Sequence, residues 1–257
     1  MPAIKQPQGL SAWPGLTVVV EISSGPRQRL WRGDLSGRTV VVHEVLRTPE
    51  ALDWELKLRA YLGARGVLSP GIFPTALGRL RDGRVYVEEF VEGAPPTSAG
   101  QYELVAATVN GLHRLTRGHP QRPGFLCIQE LLRADRGGDI DLALLPKAAV
   151  DLIRQAWTKL PFLPRVVVHS DLRPDNIRVR ERQCVLLDWD EAHVDPPWLD
   201  LVELPNWEPP QNLDCSRPQL ELAALAWEVA ACWRLEPAYS RERLRQLRRR
   251  SLEVERI

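Results

Sequence analysis

The sequence predicts an α+β fold: a small antiparallel β-sheet lobe with one helix, followed by a larger, mostly helical lobe. Two observations support this. In the first third of the chain, apolar and polar residues alternate between turn signals, whereas later apolar residues recur at helical spacing. With 257 residues, the chain is long enough for two lobes with a sizeable core. We place the lobes at residues 1–92 and 93–257.

The first lobe is predicted to contain five strands with one helix inserted after the third. The alternating stretches lie at residues 17–22, 29–32, 38–46, 76–80 and 85–90. A helix is predicted at residues 49–62, because Pro49 suits a first helical turn and Gly63 follows its last apolar residue.

The second lobe contains several stretches with helical periodicity. They lie at residues 102–115, 147–160 and 220–235. The last is nearly apolar, but Glu221, Glu228 and its short length indicate a buried helix rather than a membrane span. An Arg-rich segment at residues 241–250 is predicted to be a solvated helix face.

A group of polar residues follows the apolar run at residues 166–168. His169 ends that run, Asp171 comes two residues later, and Asn176 lies five residues beyond Asp171, after a turn at Pro174. The spacing allows Asp171 and Asn176 to face one site.

A second apolar run, at residues 185–187, ends at Asp188. We expect it to form a hairpin with the run at residues 166–168, through a charged turn at residues 180–183. Asp188 and Asn176 could then share a metal ion.

These residue types suit phosphoryl transfer. That reaction needs an oriented acceptor hydroxyl, neutralisation of developing charge and hard oxygen ligands for Mg²⁺. Asp171 would accept the hydroxyl proton, while Asn176 and Asp188 would supply the oxygen ligands.

The motifs HSDLRPDN at residues 169–176 and LDWD at residues 187–190 resemble the aminoglycoside phosphotransferase and choline kinase-like family, a branch of the protein-kinase-like fold. The D-W-D/E triplet favours this branch over protein kinases, which usually carry D-F-G. The resemblance implies a bilobal kinase-like fold, ATP and Mg²⁺ as cofactors, and transfer of the γ-phosphate to a small-molecule hydroxyl. It also assigns Arg173, where protein Ser/Thr kinases place a lysine, to phosphate stabilisation.

The resemblance also implies nucleotide-binding residues in the first lobe. The stretch VYVEEFVEG at residues 85–93 resembles the last strand and hinge of the family, so backbone groups of Glu89, Phe90 and Val91 would meet the adenine. Glu55 would be the helix glutamate that orients a phosphate-binding lysine. Gly25, the only glycine between Glu21 and Gly33, would mark a sparse phosphate loop.

The expected lysine is absent from the third strand. Residues 39–45 read TVVVHEV, and His43 falls nearest its place, although a one-residue slip in the alignment would put Glu44 there. A neutral, shorter histidine is a poor electrostatic substitute. Either an arginine replaces the lysine or the chain is a pseudokinase that binds nucleotide or ligand without efficient catalysis. The candidate arginines are Arg29, Arg32, Arg38 and Arg47.

The segment after Leu186 is strongly acidic. Between Leu186 and Glu236 the chain has eleven acids against two arginines, Arg217 and Arg234. Because the family builds its acceptor pocket here, the charge favours a cationic amino-alcohol or aminosugar. A neutral sugar, a homoserine-like compound or a peptide hydroxyl remains an alternative acceptor.

Composition and charge argue against a nucleic-acid-binding protein and a membrane protein. A formal net charge of +1 gives no general attraction to nucleic acid, and no apolar run reaches the roughly 20 residues of a membrane span. The start of the chain lacks the features of a signal peptide, so we expect a soluble cytoplasmic protein with reduced cysteines. A non-kinase interaction domain, with the Arg-rich segment as its binding feature, is a third hypothesis. The sequence sets neither the oligomeric state nor the choice between ATP and GTP.

Overall fold

A computed structural model describes residue 7 and residues 9–161, 163–211 and 213–254. The chain divides into two compact units. The first consists of the described residues up to Leu104 together with Pro174–Asp190, and the second of Val105–Arg173 and the described residues from Glu191 onward. A β-sheet dominates the first unit and helices the second, which confirms the predicted α+β fold class.

The first unit is built on a five-stranded antiparallel sheet of order β1-β2-β3-β5-β4. Its strands are β1 (Leu16–Ser24), β2 (Gln28–Leu35), β3 (Arg38–Val45), β4 (Ile72–Phe73) and β5 (Val85–Glu89). Helix α1 (Pro49–Gly63) follows the third strand, as predicted.

Alternation along the strands produces the core of this sheet. Val40 and Val42 on β3 and Val87 on β5 are fully buried beside Trp31 on β2. At the start of α1, the Thr48 hydroxyl accepts a hydrogen bond from the backbone amide of Ala51 at 3.3 Å. This cap satisfies an amide that has no partner inside the helix.

The prediction of a strand at residues 76–80 is wrong. The fourth strand is the shorter β4, and a turn follows it. In this turn the amide of Thr75 donates to the Arg79 carbonyl at 2.8 Å, and that of Gly78 donates to the Thr75 carbonyl at 2.8 Å. Gly78 has φ of 73°, which a glycine adopts without steric cost. The local turn geometry therefore overrides the apolar alternation.

The remaining elements follow in chain order. The helices are α2 (Ala99–Leu115), α3 (Ile128–Leu131), α4 (Lys147–Thr158), α5 (Trp198–Leu201), α6 (Arg217–Cys232) and α7 (Pro237–Val254). The strands are β6 (Arg136–Gly137), β7 (Ile140–Asp141), β8 (Val166–Val168), β9 (Ile177–Arg180), β10 (Gln183–Leu186) and β11 (His193–Asp195).

The predicted hairpin between the runs at residues 166–168 and 185–187 is also wrong. β10 pairs with β9, whereas β8 pairs with β11. The short stretch IRVR at residues 177–180 alternates apolar and polar residues and becomes the hairpin partner. The charged turn is therefore real, but it joins β9 to β10.

The second unit has a helical core. Helices α4, α6 and α7 contribute the buried residues Ile153, Leu220, Val229 and Leu247. The indole of Trp157 is buried too, and its Nε1 donates to the Ala223 carbonyl at 3.2 Å. Among the helices of the described residues, none combines the length and apolar character needed to cross a bilayer.

Candidate active site

The β9–β10 hairpin and the sheet of the first unit line a cavity of about 540 Å³. This volume falls in the range of small-molecule sites. The cavity brings together six residues predicted from the sequence, which are His43, Glu89, Phe90, Val91, Asn176 and Asp188. Its apolar lining includes Ile22, Leu30, Val41, Pro70 and Leu187.

Asn176 and Asp188 flank the hairpin. Asn176 immediately precedes β9, and its carbonyl accepts a hydrogen bond from the Leu187 amide at 2.8 Å. Asp188 follows two residues after β10 and has φ of 56°. This left-handed conformation is uncommon outside glycine, although Asp and Asn adopt it more readily than other residues.

The donor set of this pair fits Mg²⁺. The pair offers one carboxylate and one amide oxygen, and Mg²⁺ in proteins commonly takes one or two such ligands and completes its shell with water and phosphate oxygens. Among the described residues, no group of three or more His, Cys, Asp or Glu side chains could hold a metal by itself. With two protein ligands, most of the coordination shell of a bound Mg²⁺ would come from water and phosphate oxygens.

His43 lies in the cavity wall with its ring engaged on both edges. Its Nδ1 is 3.0 Å from Oε1 of Gln28, and its Nε2 is 2.9 Å from Oε1 of Glu88. The ring also stacks on Tyr86 at a centroid distance of 4.3 Å. These contacts fix the position of the imidazole within the sheet.

Glu55 pairs with an arginine where the resemblance implies a lysine. Oε1 of Glu55 is 3.6 Å from Nη1 of Arg59, which lies one turn further along α1. Nη2 of Arg59 also lies 2.5 Å from Oε2 of Glu88 on β5. Burial raises the pKa of Glu88, but the charges of His43 and Arg59 outweigh it and lower this pKa to about 2. The buried charges of helix and sheet thus compensate one another.

The four arginines considered as lysine substitutes do not line this cavity, whose described lining includes Arg178 as its one arginine. Arg29 is paired with Glu21 and Glu44, at 3.0 and 3.9 Å. The Arg47 guanidinium donates to the Asp190 carbonyl at 2.8 Å.

The other two arginines lie elsewhere in the first unit. The guanidinium of Arg32 lies over the ring of Phe90 at 5.1 Å. Arg38 lines a second cavity of about 810 Å³, together with Arg180 and the segment at residues 89–92.

Gly25 lies in the turn between β1 and β2 and is not among the described lining residues. Its amide donates to the Gln28 carbonyl at 2.9 Å. A Cβ at this position would lie 3.6 Å from that carbonyl oxygen, an ordinary contact. The turn therefore accepts a side chain without strain.

In the second unit, Asp171 and Arg173 form a two-pronged ion pair. Nε and Nη2 of Arg173 donate to Oδ1 and Oδ2 of Asp171, at 2.6 and 2.8 Å. The hydrogen bonds to Asp171 are the main cause of a raised pKa of Arg173. The Arg173 side chain is 65% exposed and that of Asp171 16% exposed, so this pair lies at a surface.

Asp200 supports the loop that carries Asp171. Its two carboxylate oxygens accept hydrogen bonds from the amides of His169 and Ser170 at 2.9 and 2.8 Å. Oδ2 also lies 2.8 Å from Nε2 of His113. Burial raises the pKa of Asp200, yet the hydrogen bond and charge of His113 bring it below its ordinary value. An ionised, buried Asp200 thereby fixes the backbone of the two residues that precede Asp171.

Ser170, His193 and Asp195 form a cluster that the sequence reasoning missed. Nδ1 of His193 lies 3.2 Å from the Ser170 hydroxyl and 2.9 Å from the Glu191 carbonyl, and its Nε2 lies 3.0 Å from Oδ2 of Asp195. A carbonyl only accepts, so Nδ1 carries a hydrogen and cannot take the serine proton. The cluster therefore braces the loop and is not a nucleophile with its base.

Several acids of the segment after Leu186 gather near one another in the second unit. The Glu228 carboxylate accepts from the Tyr239 hydroxyl at 2.7 Å and pairs with Arg243. Glu203 keeps solvent-exposed surface. Desolvation and then the negative charge of Glu228, with a smaller contribution from Asp171, raise the pKa of Glu203 to about 7.

The chain belongs to the phosphotransferase enzyme family, whose profile matches residues 18–244. Membership in this family supports phosphotransferase activity on small molecules. A search among curated proteins found no match.

Solved structures share the fold at low sequence identity. An amicoumacin kinase in complex with AMP-PNP, Ca²⁺ and Ami is 14% identical, with a TM-score of 0.61, over 91% of this chain and 87% of that one. A spectinomycin phosphotransferase with ADP and spectinomycin is 11% identical, with a TM-score of 0.57, over 85% and 80%. A choline/ethanolamine kinase family protein from Mesorhizobium loti is 15% identical, with a TM-score of 0.54, over 93% and 88%.

Proposed function

We propose that this protein transfers the γ-phosphate of ATP to a hydroxyl group of a small molecule. The observation that carries the proposal is the shared cavity of the first unit, which Asn176, Asp188 and the segment at residues 89–91 line together. Family membership supports the reaction class, and the nucleotides bound to two structural neighbours support the donor.

In this proposal the adenine lies against the segment from Glu89 to Val91. The amide of Glu89 donates to the Gly71 carbonyl at 2.8 Å, and that of Phe90 to the Thr39 carbonyl at 3.3 Å. Because these two amides are used within the protein, contacts of Glu89 and Phe90 with the base would be made by their carbonyl groups. Ile22, Leu30 and Val41 give the base an apolar surface.

Asn176 and Asp188 would hold Mg²⁺ through their side-chain oxygens. The bound ion would neutralise charge that develops on the transferring phosphoryl group. Asn176 is placed by its carbonyl contact with Leu187 and Asp188 by a hydrogen bond from Gln28, so both ligands start from fixed positions.

Asp171 would orient the acceptor hydroxyl and take its proton. Both carboxylate oxygens already accept from Arg173, but a carboxylate oxygen accepts more than one hydrogen bond. Arg173 can therefore hold the Asp171 carboxylate in place while one oxygen receives the acceptor proton. Its exposed guanidinium also supplies positive charge for a phosphate.

We also propose a cationic acceptor, such as an amino-alcohol or an aminosugar. Glu203 and Glu228 lie in the acidic segment that follows the hairpin, and their mutual repulsion contributes to the raised pKa of Glu203. An ammonium group beside these carboxylates would relieve that repulsion.

We place the reaction in the cytoplasm and keep the lobe assignment at residues 1–92 and 93–257 as a prediction. The four cysteines, Cys127, Cys184, Cys215 and Cys232, are buried and free, which suits a reducing compartment.

A pseudokinase is the second candidate function. It is favoured by the cavity lining, which among the described residues contains no lysine. Both ring nitrogens of His43 already face protein partners, which reduces its capacity to meet a phosphate.

A thermal-unfolding scan with ATP, with and without Mg²⁺, tests the proposal. A ligand at a thousand times its dissociation constant stabilises a protein by roughly 4 kcal/mol, which means a shift of several degrees. We expect a Mg²⁺-dependent shift in the wild type and none in Asp188→Ala.

Acceptor-dependent ATP consumption with a panel of amino-alcohols and aminosugars then separates the two candidates. Turnover supports the kinase. A nucleotide shift without turnover on any cationic or neutral acceptor supports the pseudokinase, and the absence of any shift contradicts both.

A further inference from the structure

A line of polar side chains runs through the first unit from Asp188 to α1. Nε2 of Gln28 donates to Oδ1 of Asp188 at 2.9 Å, and Oε1 of Gln28 lies 3.0 Å from Nδ1 of His43. The line continues from Nε2 of His43 to Glu88 at 2.9 Å, and from Glu88 to Arg59. Within this series of contacts, Gln28 on β2 therefore connects Asp188 to the buried groups His43, Glu88 and Arg59.

The chemistry of the partners fixes the direction of each hydrogen bond. An ionised carboxylate only accepts, so the side-chain amide of Gln28 must turn its NH₂ group toward Asp188. Its carbonyl oxygen then faces His43, and Nδ1 of His43 must carry the hydrogen that it donates to Gln28. The hydrogen on Nδ1 of His43 and the orientation of the Gln28 amide therefore depend on each other.

We propose that Gln28 is a positioning residue that orients the Asp188 carboxylate for a divalent cation, with His43 acting through Gln28. This inference rests on the proposed role of Asp188 as a metal ligand. It places His43, the residue nearest the strand position where the resemblance implies a lysine, in support of the metal ligand rather than in contact with phosphate.

Two features of Asp188 suit such support. Its backbone has φ of 56°, a conformation that surrounding contacts must maintain in a residue other than glycine. Its side chain is half-buried, so part of the carboxylate surface faces solvent rather than packed protein atoms. The hydrogen bond from Gln28 restricts the carboxylate and still leaves Oδ1 able to accept a second partner.

Residues that orient a metal ligand typically contribute 10- to 100-fold to metal affinity. Gln28→Met keeps the length and volume of the side chain but removes both hydrogen-bonding groups. Gln183→Met is a matched control, because Gln183 is an exposed glutamine on β10 in the same unit.

The experiment measures Mn²⁺ binding by electron paramagnetic resonance in the presence of AMP-PNP, and AMP-PNP binding without metal by calorimetry. We expect Gln28→Met to weaken Mn²⁺ binding about 10- to 100-fold while metal-free AMP-PNP affinity and the Tm of the free protein change little. Gln183→Met should match the wild type in all three measurements.

Two substitutions of His43 test its action through Gln28. The side-chain NH₂ of asparagine occupies nearly the place of Nδ1 of histidine, so His43→Asn can still donate to Oε1 of Gln28, whereas His43→Leu cannot. We expect Mn²⁺ affinity to fall in His43→Leu and to recover substantially in His43→Asn. A loss of equal size in both variants would overturn the role of His43.

The outcomes separate this inference from the proposed function. If the wild type binds Mn²⁺ and the Mn²⁺ affinity of Gln28→Met stays within twofold of it, the positioning role is overturned and the proposed metal site remains intact. A wild type that binds no Mn²⁺ with AMP-PNP contradicts the proposed metal site and with it the role of Gln28.

Discussion

Arg59 on α1 and Glu88 on β5 form a buried ion pair, with side chains 2% and 9% exposed. The same guanidinium lies near Glu55 and donates to the Pro70 carbonyl at 3.0 Å. The helix is therefore attached to the sheet by an arginine that it carries itself. This arrangement differs from the strand lysine and helix glutamate that the family resemblance implies.

Removal of Arg59 should destabilise the protein strongly. Arg59→Met leaves Glu88 and Glu55 buried with less compensation, and loss of one partner of a buried pair costs about 3–5 kcal/mol. Urea unfolding measures the change in the free energy of unfolding. Arg65→Met, at an exposed position on the surface just after α1, should stay within about 0.5 kcal/mol of the wild type. Equal effects of the two substitutions would contradict the role of the pair.

The free energy of unfolding should depend on pH through Glu88. Its pKa in the folded protein is about 2, against an ordinary value of 4.5, so between these values the unfolded chain binds more protons than the folded one. The contribution of Glu88 is therefore complete above about pH 5 and is lost as pH falls toward 2. We expect the stability difference between wild type and Glu88→Gln to shrink by about 2 kcal/mol between pH 5 and pH 3. If urea unfolding gave the same difference in free energy of unfolding between the two proteins at pH 5 and at pH 3, this result would contradict the lowered pKa.

Asp171 should be essential for turnover with the true acceptor. Asp171→Asn keeps the shape of the side chain but removes the base, and general base catalysis contributes about 10²- to 10⁴-fold. We expect kcat to fall by this factor while the Mg²⁺-dependent thermal shift with ATP persists. Asp151→Asn, on the exposed face of α4, is the control. Turnover of Asp171→Asn within a few-fold of wild type would exclude Asp171 as the base.

Binding of a cationic acceptor should strengthen as pH rises through neutrality. The pKa of Glu203 is raised to about 7, so its carboxyl is mostly neutral at pH 6 and mostly ionised at pH 8. We expect KM for a cationic acceptor to fall over this interval in the wild type and to change less in Glu203→Gln. Glu253→Gln, an exposed position on α7, should keep the wild-type profile. A profile unchanged by Glu203→Gln would remove Glu203 from the acceptor site.

Two glycines should respond differently to alanine. Gly93 has φ of 145°, and a Cβ there would lie 3.2 Å from the Val179 carbonyl oxygen. Gly93→Ala should therefore destabilise the protein by about 1–3 kcal/mol, whereas Gly25→Ala should stay within about 0.5 kcal/mol. Thermal unfolding of both variants measures this contrast. Similar Tm values for Gly93→Ala and Gly25→Ala would contradict the proposed difference between the two positions.

The sequence was most informative where several residues have to occur at fixed spacing. The loop from His169 to Asn176 and the later Asp188 indicated the family, and periodicity located α1, α2, α4 and α6. Local apolar patterns were less reliable. They placed a strand at residues 76–80, where Gly78 forms a turn instead, and paired the wrong strands around the loop.

The contacts of Gln28 and Arg59 could not be predicted from spacing. Gln28 meets Asp188 across 160 positions of the chain, and Arg59 meets Glu88 across 29. Neither side chain belongs to a motif. The pairing of β2, β3 and β5 brings Gln28, His43 and Glu88 together, whereas Arg59 comes from α1 and Asp188 from the segment after β10. The absence of a lysine from β3 was the available signal, and it did not identify the partners.

The hairpin of β9 and β10 has a consequence for synthesis of the chain. It is joined to the first unit through hydrogen bonds from Val179 to Ala94 and from Leu186 to Leu68, at 2.9 and 3.1 Å. In the sequence, roughly seventy residues of the second unit separate this hairpin from the earlier part of the first unit. At translation rates of about 5–20 residues per second, the ribosome synthesises this hairpin several seconds after the strands of the sheet. Until then the carbonyl groups of Leu68 and Ala94 lack these hydrogen-bond donors, so we expect the first unit to complete its fold only after β9 and β10 have been synthesised.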